Sequence, residues 1–222
     1  MTLLKKLFCL TCMVLTLCIL SGCAKEEAML SQTRFMLDTF VTLYLYPENQ
    51  ELFTPCFELA QSLEKKLSAH YENGEIYSLN KNKSAKVSAE TLEVIKKGVY
   101  YGKLSRGKFD ISILPRSRLW NCDKGEHEPP AVQELKEAAA KIDYTRIKIS
   151  GDAVHLEEYT ELDLGGIAKG YIADKLAQYL IDSGVENALL DLGGNIYALG
   201  SRQGEPFRIG IADPENPQEV VG

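Results

Sequence analysis

The segment Glu161–Gly200 reads ELDLGGIAKGYIADKLAQYLIDSGVENALLDLGGNIYALG, and its pattern of apolar residues and glycines decides the fold. A short apolar run, which predicts a strand, ends at Leu164, and the pair Gly165–Gly166 follows it. After the glycines, apolar residues recur at intervals of one helical turn, which predicts a helix. The residues that set this period are Ala168, Ile172, Ala173, Leu176, Ala177 and Leu180.

The second half of the segment returns to a strand pattern. Gly184 stands where a left-handed C-terminal cap of the helix is expected. The apolar runs 188–192 and 196–199 predict two strands, separated by a second glycine pair that begins at Gly193. The segment therefore predicts a strand, a glycine turn, a helix, a strand, a glycine turn and a strand, in this order.

The junction before the helix has the features of an anion-binding site. Glycines leave the backbone open to a ligand, and a helix start presents N–H groups and the positive end of the helix dipole. Lys169 adds a charge in the first turn, and Asp163 lies at the end of the preceding apolar run. A phosphate, or a cation that bridges phosphates, would suit this place. The alternative is that the glycines only pack helix against strand, since the spacing fits neither the dinucleotide fingerprint nor the P-loop.

The first 22 residues have the pattern of a bacterial lipoprotein signal peptide. Lys5 and Lys6 precede the apolar stretch Leu7–Leu20, and Cys23 directly follows small residues. We expect cleavage before Cys23, a lipid on its thiol and a tether over 23–32, which would hold the protein at the extracytoplasmic face of the cell membrane. A spanning helix is the alternative, but an apolar stretch of about 14 residues is shorter than the roughly 20 that a span requires.

Cysteine content and charge exclude several classes of function. Beyond the signal peptide and Cys23, only Cys56 and Cys122 remain, so at most one disulfide can form, and this part of the chain has no Cys-x-x-Cys of a zinc or redox site. The formal net charge of −6 at pH 7 gives no electrostatic footprint for nucleic acid. An acidic protein also suits an anionic membrane surface poorly, so attachment is expected to depend on the lipid. Three histidines without metal-ligand spacing are predicted to lie on the surface: His70, His127 and His155.

The rest of the chain alternates strands and helices at irregular intervals. Strands are predicted at 40–46, 109–114 and 207–212, and a hairpin at 147–156. Helices are predicted at 52–67, 89–104 and 133–142, with Ser88 as the cap of the second and a loop over 68–82. This order predicts an α+β fold with a central mixed or antiparallel sheet flanked by helices, because the hairpins disfavour a doubly wound parallel sheet.

Several motifs resemble the flavin transferases of the ApbE type. The longest are DLGGIAKGYIAD at Asp163–Asp174 and LLDLGGNI at Leu189–Ile196. Four further segments resemble motifs of that family in the same order: FMLDT, LSAHYENGEIYSLN, GKFDISILPRSRLW and FRIGIADP, which begin at Phe35, Leu67, Gly107 and Phe207. The resemblance covers essentially the whole chain after the tether, from 33 to 222.

The resemblance implies transfer of FMN from FAD to a threonine hydroxyl of a partner protein, with Mg²⁺ and with release of AMP. It implies a flavin cleft between two lobes, and a partner that is an exported or membrane redox subunit. The residues that it implies for contact with FAD are Met36, Tyr71, Lys108, Phe109, Asp110, Asp163 and Lys169. The carbonyl of Gly166 would be one magnesium ligand, and the base that receives the threonine proton is not assigned.

Members of this family continue into a further part that carries most of the magnesium ligands. We therefore expect residues 33–222 to be an ApbE-like domain truncated at its C-terminus, which by itself binds flavin poorly and transfers little. Arg116 and Gly74 also stand where the family prefers leucine and serine. Two alternatives stay open, a lipoprotein that binds FAD without transferring FMN and a lipid-anchored solute-binding protein without flavin.

Overall fold

The structure is a computed structural model that describes residues 29–46, 49–120, 128–202, 204–216 and 219–221. The predicted signal peptide, the lipidation site Cys23, most of the tether and Cys122 lie outside the described residues. Within the described ranges, no helix is both long enough and apolar enough to cross a membrane.

Two antiparallel sheets organise the described chain. Its strands are β1 (Leu30–Met36), β2 (Thr39–Tyr46), β3 (Ser84–Lys86), β4 (Ile147–Ser150), β5 (Ala153–Leu156), β6 (Asn187–Leu192) and β7 (Asn195–Leu199). The larger sheet has the order β1-β2-β6-β7 and the smaller one the order β3-β5-β4. Pairing within both sheets is antiparallel, so the predicted α+β class and the antiparallel form of the sheet are confirmed.

One face of the larger sheet supplies much of the core. Val41, Leu43 and Leu45 alternate along β2 and are completely buried. The register pairs Leu43 with Leu190 of β6, which is also completely buried and lies on the same face. Burial of one such side chain contributes about 1.5–3 kcal/mol, so this alternation fixes which face of the sheet the helices cover.

Six α-helices in the described chain pack around these sheets. They are α1 (Phe53–Leu67), α2 (Glu75–Asn82), α3 (Ala89–Leu104), α4 (Leu114–Trp120), α5 (Val132–Ala139) and α6 (Gly165–Asp182). Helix α6 contacts α1, α3, β6 and β7, and its periodic apolar residues such as Leu176 and Leu180 are buried, as predicted. The predicted caps are also confirmed: the Ser88 hydroxyl accepts a hydrogen bond from the Thr91 N–H, and Gly184 has a φ of 82°.

The predicted strand at 109–114 is wrong. Only Ile113 forms a bridge, to Glu161 in the parallel direction, and α4 already begins at Leu114. The Asp110 carboxylate accepts hydrogen bonds from the N–H and the hydroxyl of Ser112, which turns the chain locally. A short polar side chain that bonds its own backbone competes with a strand ladder, so the apolar alternation here reflects burial without sheet pairing.

Other segments also differ from the predictions. The predicted loop 68–82 contains helix α2 after the turn at Gly74. The apolar run before Leu164 was predicted to be a strand, but it forms only a single bridge, at Glu161. Among the described residues, the predicted strand 207–212 forms only one isolated bridge, at Ala212. A strand ladder would require a neighbouring strand along its length. Strand β1 begins at Leu30, so the last residues of the predicted tether belong to the sheet.

Candidate functional site

A cleft of about 290 Å³ lies between the β1–β2 turn, the end of α1 and the start of α6. It brings together Asp163 and Lys169, two of the residues that the sequence implicates in FAD contact. Its polar lining consists of Asp38, Glu64, Ser68, His70, Asp163 and Lys169. Three carboxylates therefore face this space together with one lysine and one histidine.

The first wall of the cleft is a two-residue turn in an unusual backbone conformation. Leu37 and Asp38 connect β1 to β2 with φ values of 55° and 56°. Two consecutive left-handed residues suit a tight hairpin, but the conformation costs a non-glycine residue about 1–2 kcal/mol. The Leu37 N–H donates a 2.7 Å hydrogen bond to the Glu64 carboxylate, which ties the turn to α1.

The opposite wall is a clamped segment, residues 160–164, that leads into α6. The buried Asn80 amide donates to the Leu162 carbonyl at 2.8 Å and accepts from the Leu162 N–H at 2.6 Å. The Asp163 N–H donates to the Ile111 carbonyl at 2.8 Å, and the Lys83 ammonium donates to the Thr160 carbonyl at 3.0 Å. Long-range hydrogen bonds replace the sheet ladder that this segment lacks.

Most backbone N–H groups at the start of α6 already have a hydrogen-bond acceptor within the protein. One Asp163 oxygen accepts the Gly165 N–H at 2.9 Å, and the other accepts the Ser117 hydroxyl at 2.8 Å. The Leu164 carbonyl accepts the N–H groups of the third and fourth helical residues. In the described chain only the Gly166 N–H of this turn is left without a partner, so a helix start that offers several free N–H groups was a wrong expectation.

Lys169 carries the positive charge on this side of the cleft. Its side chain is half-buried, and it forms no ion pair with any described residue. Because Asp163 already occupies the helix start as an anion, the attraction for a phosphate comes chiefly from the lysine ammonium.

Tyr71 lies in a second recess that continues the cleft. This recess, of about 370 Å³, shares Asp38, Glu64, Ser68 and His70 with the first. The Tyr71 side chain is 41 % exposed, and the Lys65 ammonium lies 5.9 Å from the centre of its ring. Tyr71, Asp163 and Lys169 thus border one continuous depression, although Tyr71 and Lys169 are far apart in the sequence.

Phe109 lies on the other side of the α6 start. With Tyr101, Leu104 and Gly166 it lines an apolar recess of about 330 Å³. A β-carbon at Gly166 would come within 3.2 Å of the Phe109 ring, so glycine lets the ring pack directly on the helix backbone. Phe109, for which contact with FAD is predicted, and Gly166, for which a magnesium ligand is predicted, are therefore neighbours in space.

Three of the predicted contact residues do not line these recesses. Met36 is buried in the core directly before the Leu37–Asp38 turn, and Lys108 lies in an exposed loop. Besides its bonds to Ser112, the Asp110 carboxylate accepts the Tyr144 N–H at 2.9 Å. Their contact with FAD stays a prediction, and Asp110 has an evident structural task in holding the loop beside Phe109.

Several residues that line the cleft were not singled out from the sequence. Leu37 and Asp38 lie within the motif FMLDT, but neither their positive φ nor the hydrogen bond that the Leu37 N–H donates to Glu64 is apparent before the chain folds. His70 was assigned to the surface, and it is indeed exposed, yet it lines both parts of the depression. Its position next to Tyr71, within a motif that resembles the family, is a signal of the same kind as that of Leu37 and Asp38.

The described residues contain no group of three or more His, Cys, Asp and Glu side chains that could hold a metal ion. Gly166 lies in the first turn of α6, where its carbonyl could supply one oxygen ligand. These residues alone therefore do not form a complete magnesium site.

The flank of α6 that faces α3 carries a charged cluster outside the cleft. The Glu93 carboxylate accepts hydrogen bonds from the Tyr171 hydroxyl at 2.9 Å and the Lys175 ammonium at 3.0 Å, and Lys97 lies 3.2 Å from it. The hydrogen bond from Lys175 is the main reason that the pKa of Glu93 falls to about 2. Burial, together with the bond to Glu93, raises the pKa of Tyr171 to about 12. The cluster ties the two helices together.

Comparison with known proteins gives a consistent result. The sequence model of the ApbE family matches residues 37–222. The FAD:protein FMN transferase of Treponema pallidum is 30 % identical over 178 residues, which is 71 % of this chain and 49 % of that protein. The protein of the same name from Vibrio cholerae is 30 % identical over 221 residues, 93 % of this chain and 65 % of that protein.

Solved structures of the family share the fold. The flavin transferase ApbE from Vibrio cholerae has a TM-score of 0.75 at 25 % identity, over 84 % of this chain and 64 % of that one. The ApbE protein from Thermotoga maritima has a TM-score of 0.79 at 26 % identity, over 87 % and 66 % of the two chains. The chain thus spans about half to two thirds of the length of these relatives. Its motifs, its fold and the family match agree that it belongs to the ApbE family.

Proposed function

We propose that the protein transfers FMN from FAD to a threonine hydroxyl of a partner protein. The observation that carries the proposal is the single depression bordered by Tyr71, Asp163 and Lys169, with Phe109 packed on the other side of the same helix start. This arrangement offers an aromatic side chain for a flavin and a cation for a diphosphate at one place. The two relatives described above bear the name FAD:protein FMN transferase, which supports transfer of FMN from FAD to a protein.

In this reaction the threonine oxygen forms a bond to the FMN-side phosphorus, and the bond from that phosphorus to the bridging oxygen breaks. AMP leaves, and the threonine proton passes to a base. Charge grows on the phosphate oxygens, so stabilisation by fixed positive groups matters most. Lys169 is the residue of this chain placed to do so, and Tyr71 would orient the flavin ring by contact with its face.

We propose Mg²⁺ as the metal, because three carboxylates face the cleft and would repel a diphosphate without a divalent cation. Such an ion would supply positive charge that stabilises the phosphate oxygens as their negative charge grows. The described residues provide at most part of its ligands, with the Gly166 carbonyl as one, and we derive no step through the ion.

We propose further that a lipid on Cys23 anchors the protein at the extracytoplasmic face of the membrane. The basic start, the apolar stretch and the small residues before Cys23 support this anchor. An acceptor within reach would then be an exported or membrane redox subunit. Metabolic labelling with a fatty acid, compared between the wild type and Cys23→Ala, tests the anchor.

The central test is FAD binding by the full-length gene product, measured by quenching of flavin fluorescence. Loss of a charge-assisted contact corresponds to about 1.5–3 kcal/mol, so we expect Lys169→Ala to weaken FAD binding roughly ten- to hundredfold. The control is Lys141→Ala, because Lys141 is exposed and lines none of the recesses described above. This variant should bind FAD as the wild type does. Equal affinities in all three proteins would remove the cleft from consideration as the FAD site.

The transfer itself is measured as flavin fluorescence covalently attached to an acceptor in the presence of Mg²⁺. Binding of FAD without transfer to any acceptor tested would favour the flavin-binding lipoprotein. No binding of FAD at all would favour the solute-binding alternative.

A further inference from the structure

The segment 94–109 differs in charge from the rest of the molecule. It contains five basic residues and no acidic one, whereas the whole chain has a formal net charge of −6. The segment comprises most of α3 and the loop that follows it. A local positive surface on an acidic protein acts only over about a Debye length of 8–10 Å, so it selects a partner that approaches this surface closely.

Large apolar side chains are exposed among these charges. Tyr100 is 60 % exposed and Leu104 is 65 % exposed, and Lys96 and Lys103 lie on the same face of α3 at helical spacing. The ring of Tyr100 stands edge-on to that of Tyr101, with 5.3 Å between the ring centres. Exposed aromatic and aliphatic side chains within a charged rim are typical of an interaction surface.

The end of α3 adds an arginine in a conformation that favours glycine. Arg106 has a φ of 57°, and the Gly107 N–H closes the helix end by donating to the Gly102 carbonyl at 2.8 Å. Glycine usually occupies this left-handed position after a helix. An exposed arginine here therefore points to a task outside the stability of the fold.

We name Lys96, Tyr100, Lys103, Leu104 and Arg106 the basic aromatic patch. Its three cations form no ion pair with any described residue, unlike the neighbouring Lys97, which pairs with Glu93. The patch adjoins the candidate site, because Leu104 lines the apolar recess together with Gly166 at the start of α6.

We propose that the basic aromatic patch binds an acidic segment of the protein that accepts the flavin. This inference rests on the proposed transfer function and specifies the chemistry of its partner. A macromolecular acceptor must dock beside the site so that its hydroxyl reaches the phosphorus, and the patch lies there. An anionic membrane fits less well, since the remainder of this acidic protein would be repelled by it.

The test uses the full-length protein and two rhodamine-labelled peptides. One carries several glutamates around a leucine and a threonine, and the other has glutamine in place of each glutamate. Binding is followed by fluorescence anisotropy over a series of salt concentrations. We expect the acidic peptide to bind more tightly than the neutral one, with a difference that shrinks at high salt.

Two double variants test the location. Lys103→Gln with Arg106→Gln should weaken binding of the acidic peptide roughly tenfold at low salt, as loss of two exposed charges predicts. Lys136→Gln with Lys141→Gln removes two exposed lysines of another surface and should leave binding unchanged. Equal losses in both double variants would overturn the patch as the binding surface.

Arg106→Gly separates binding from folding. Because glycine suits a φ of 57°, this variant should unfold at a higher temperature than the wild type and still bind the acidic peptide less tightly. Unchanged peptide binding by this stabilised variant would contradict the proposal.

FAD binding, measured on the same variants, distinguishes a failure of the proposed patch from a failure of the proposed transfer function. Normal FAD binding with loss of peptide binding supports the patch, and normal FAD binding without any peptide preference overturns the patch while the transfer function stands. Loss of FAD binding in the patch variants would assign these residues to the flavin site. Binding to phosphatidylglycerol–phosphatidylcholine vesicles, but not to the acidic peptide, would assign the patch to the membrane.

Discussion

The two walls of the cleft are held by different kinds of interaction. The Leu37–Asp38 turn has two left-handed residues, and one hydrogen bond from the Leu37 N–H to Glu64 ties it to α1. The clamped segment opposite has no left-handed residue among those described, and the buried Asn80 amide pairs with both polar groups of Leu162. The turn therefore combines left-handed residues with one tether to α1, whereas several hydrogen bonds hold the clamped segment.

From this difference we expect the turn to move more readily than the clamped segment when a ligand binds. A strained element with one tether needs little free energy to change its conformation, whereas a segment with several buried hydrogen bonds opens only at the expense of unsatisfied polar groups. The clamped segment carries Asp163 and leads to Lys169, so the charges that would meet the diphosphate are on the rigid side. The turn that brings Asp38 to the cleft is on the adaptable side.

The largest effect is expected for Asn80→Ala in the clamped segment. The substitution leaves the buried N–H and carbonyl of Leu162 without their partner, which should lower the free energy of unfolding by about 2–4 kcal/mol. Urea denaturation measures this difference. Asn82→Ala, at an exposed position of the same helix, is the control and should change stability by less than about 0.5 kcal/mol. Similar small values for both variants would mean that the clamp does not hold this wall.

A smaller effect is expected for Glu64→Ala at the turn. Loss of one charge-assisted hydrogen bond at a half-buried site should lower the free energy of unfolding by about 1–2 kcal/mol. Hydrogen exchange of the Leu37 amide should accelerate more than that of the Leu162 amide, because only the turn loses its tether. Glu64→Gln retains an acceptor oxygen and should lie between wild type and Glu64→Ala.

Glu58→Ala, at an exposed position of the same helix, provides the matched control for the turn. If Glu58→Ala and Glu64→Ala had the same effect on Leu37 exchange, the contrast between a tethered turn and a clamped segment would no longer stand.

The smallest effect is expected at the charged cluster that joins α6 to α3. The folded pKa of Glu93, about 2, lies below its ordinary value of 4.5, so the ionised carboxylate stabilises the fold above pH 4.5 and this contribution disappears as the pH falls towards 2. Because Glu93 is 41 % exposed, solvent screening limits the contribution to about 0.5 kcal/mol.

Thermal unfolding between pH 2 and pH 7 tests this expectation. Glu93→Gln should lower stability at neutral pH and flatten its decline in acid, while Glu58→Gln should follow the wild type. A Glu93→Gln curve parallel to that of the wild type would show that the cluster contributes nothing that depends on its charge.

Much of the fold was predictable from the sequence, because buried faces of helices and strands require apolar residues at a regular spacing. The apolar residues of α6, the hairpin of β4 and β5 and the cap at Ser88 were predicted from neighbouring residues alone, and all three are present. The motifs around Asp163 and Lys169 also led to the correct family and to two residues of the cleft. Local periodicity records which face of an element is buried, and this information is carried by residues close together in the chain.

Only the tertiary structure decided how the cleft is assembled. Asn80 and Leu162 are 82 residues apart, and Leu37 and Glu64 are 27 residues apart, so no local pattern reports their hydrogen bonds. Tyr144 is likewise 34 residues away from Asp110, whose carboxylate accepts its N–H and thereby helps to hold a loop where a strand was predicted. Each of these bonds joins a side chain to a backbone group of a distant or irregular segment, and its existence depends on which surfaces meet after the core has formed.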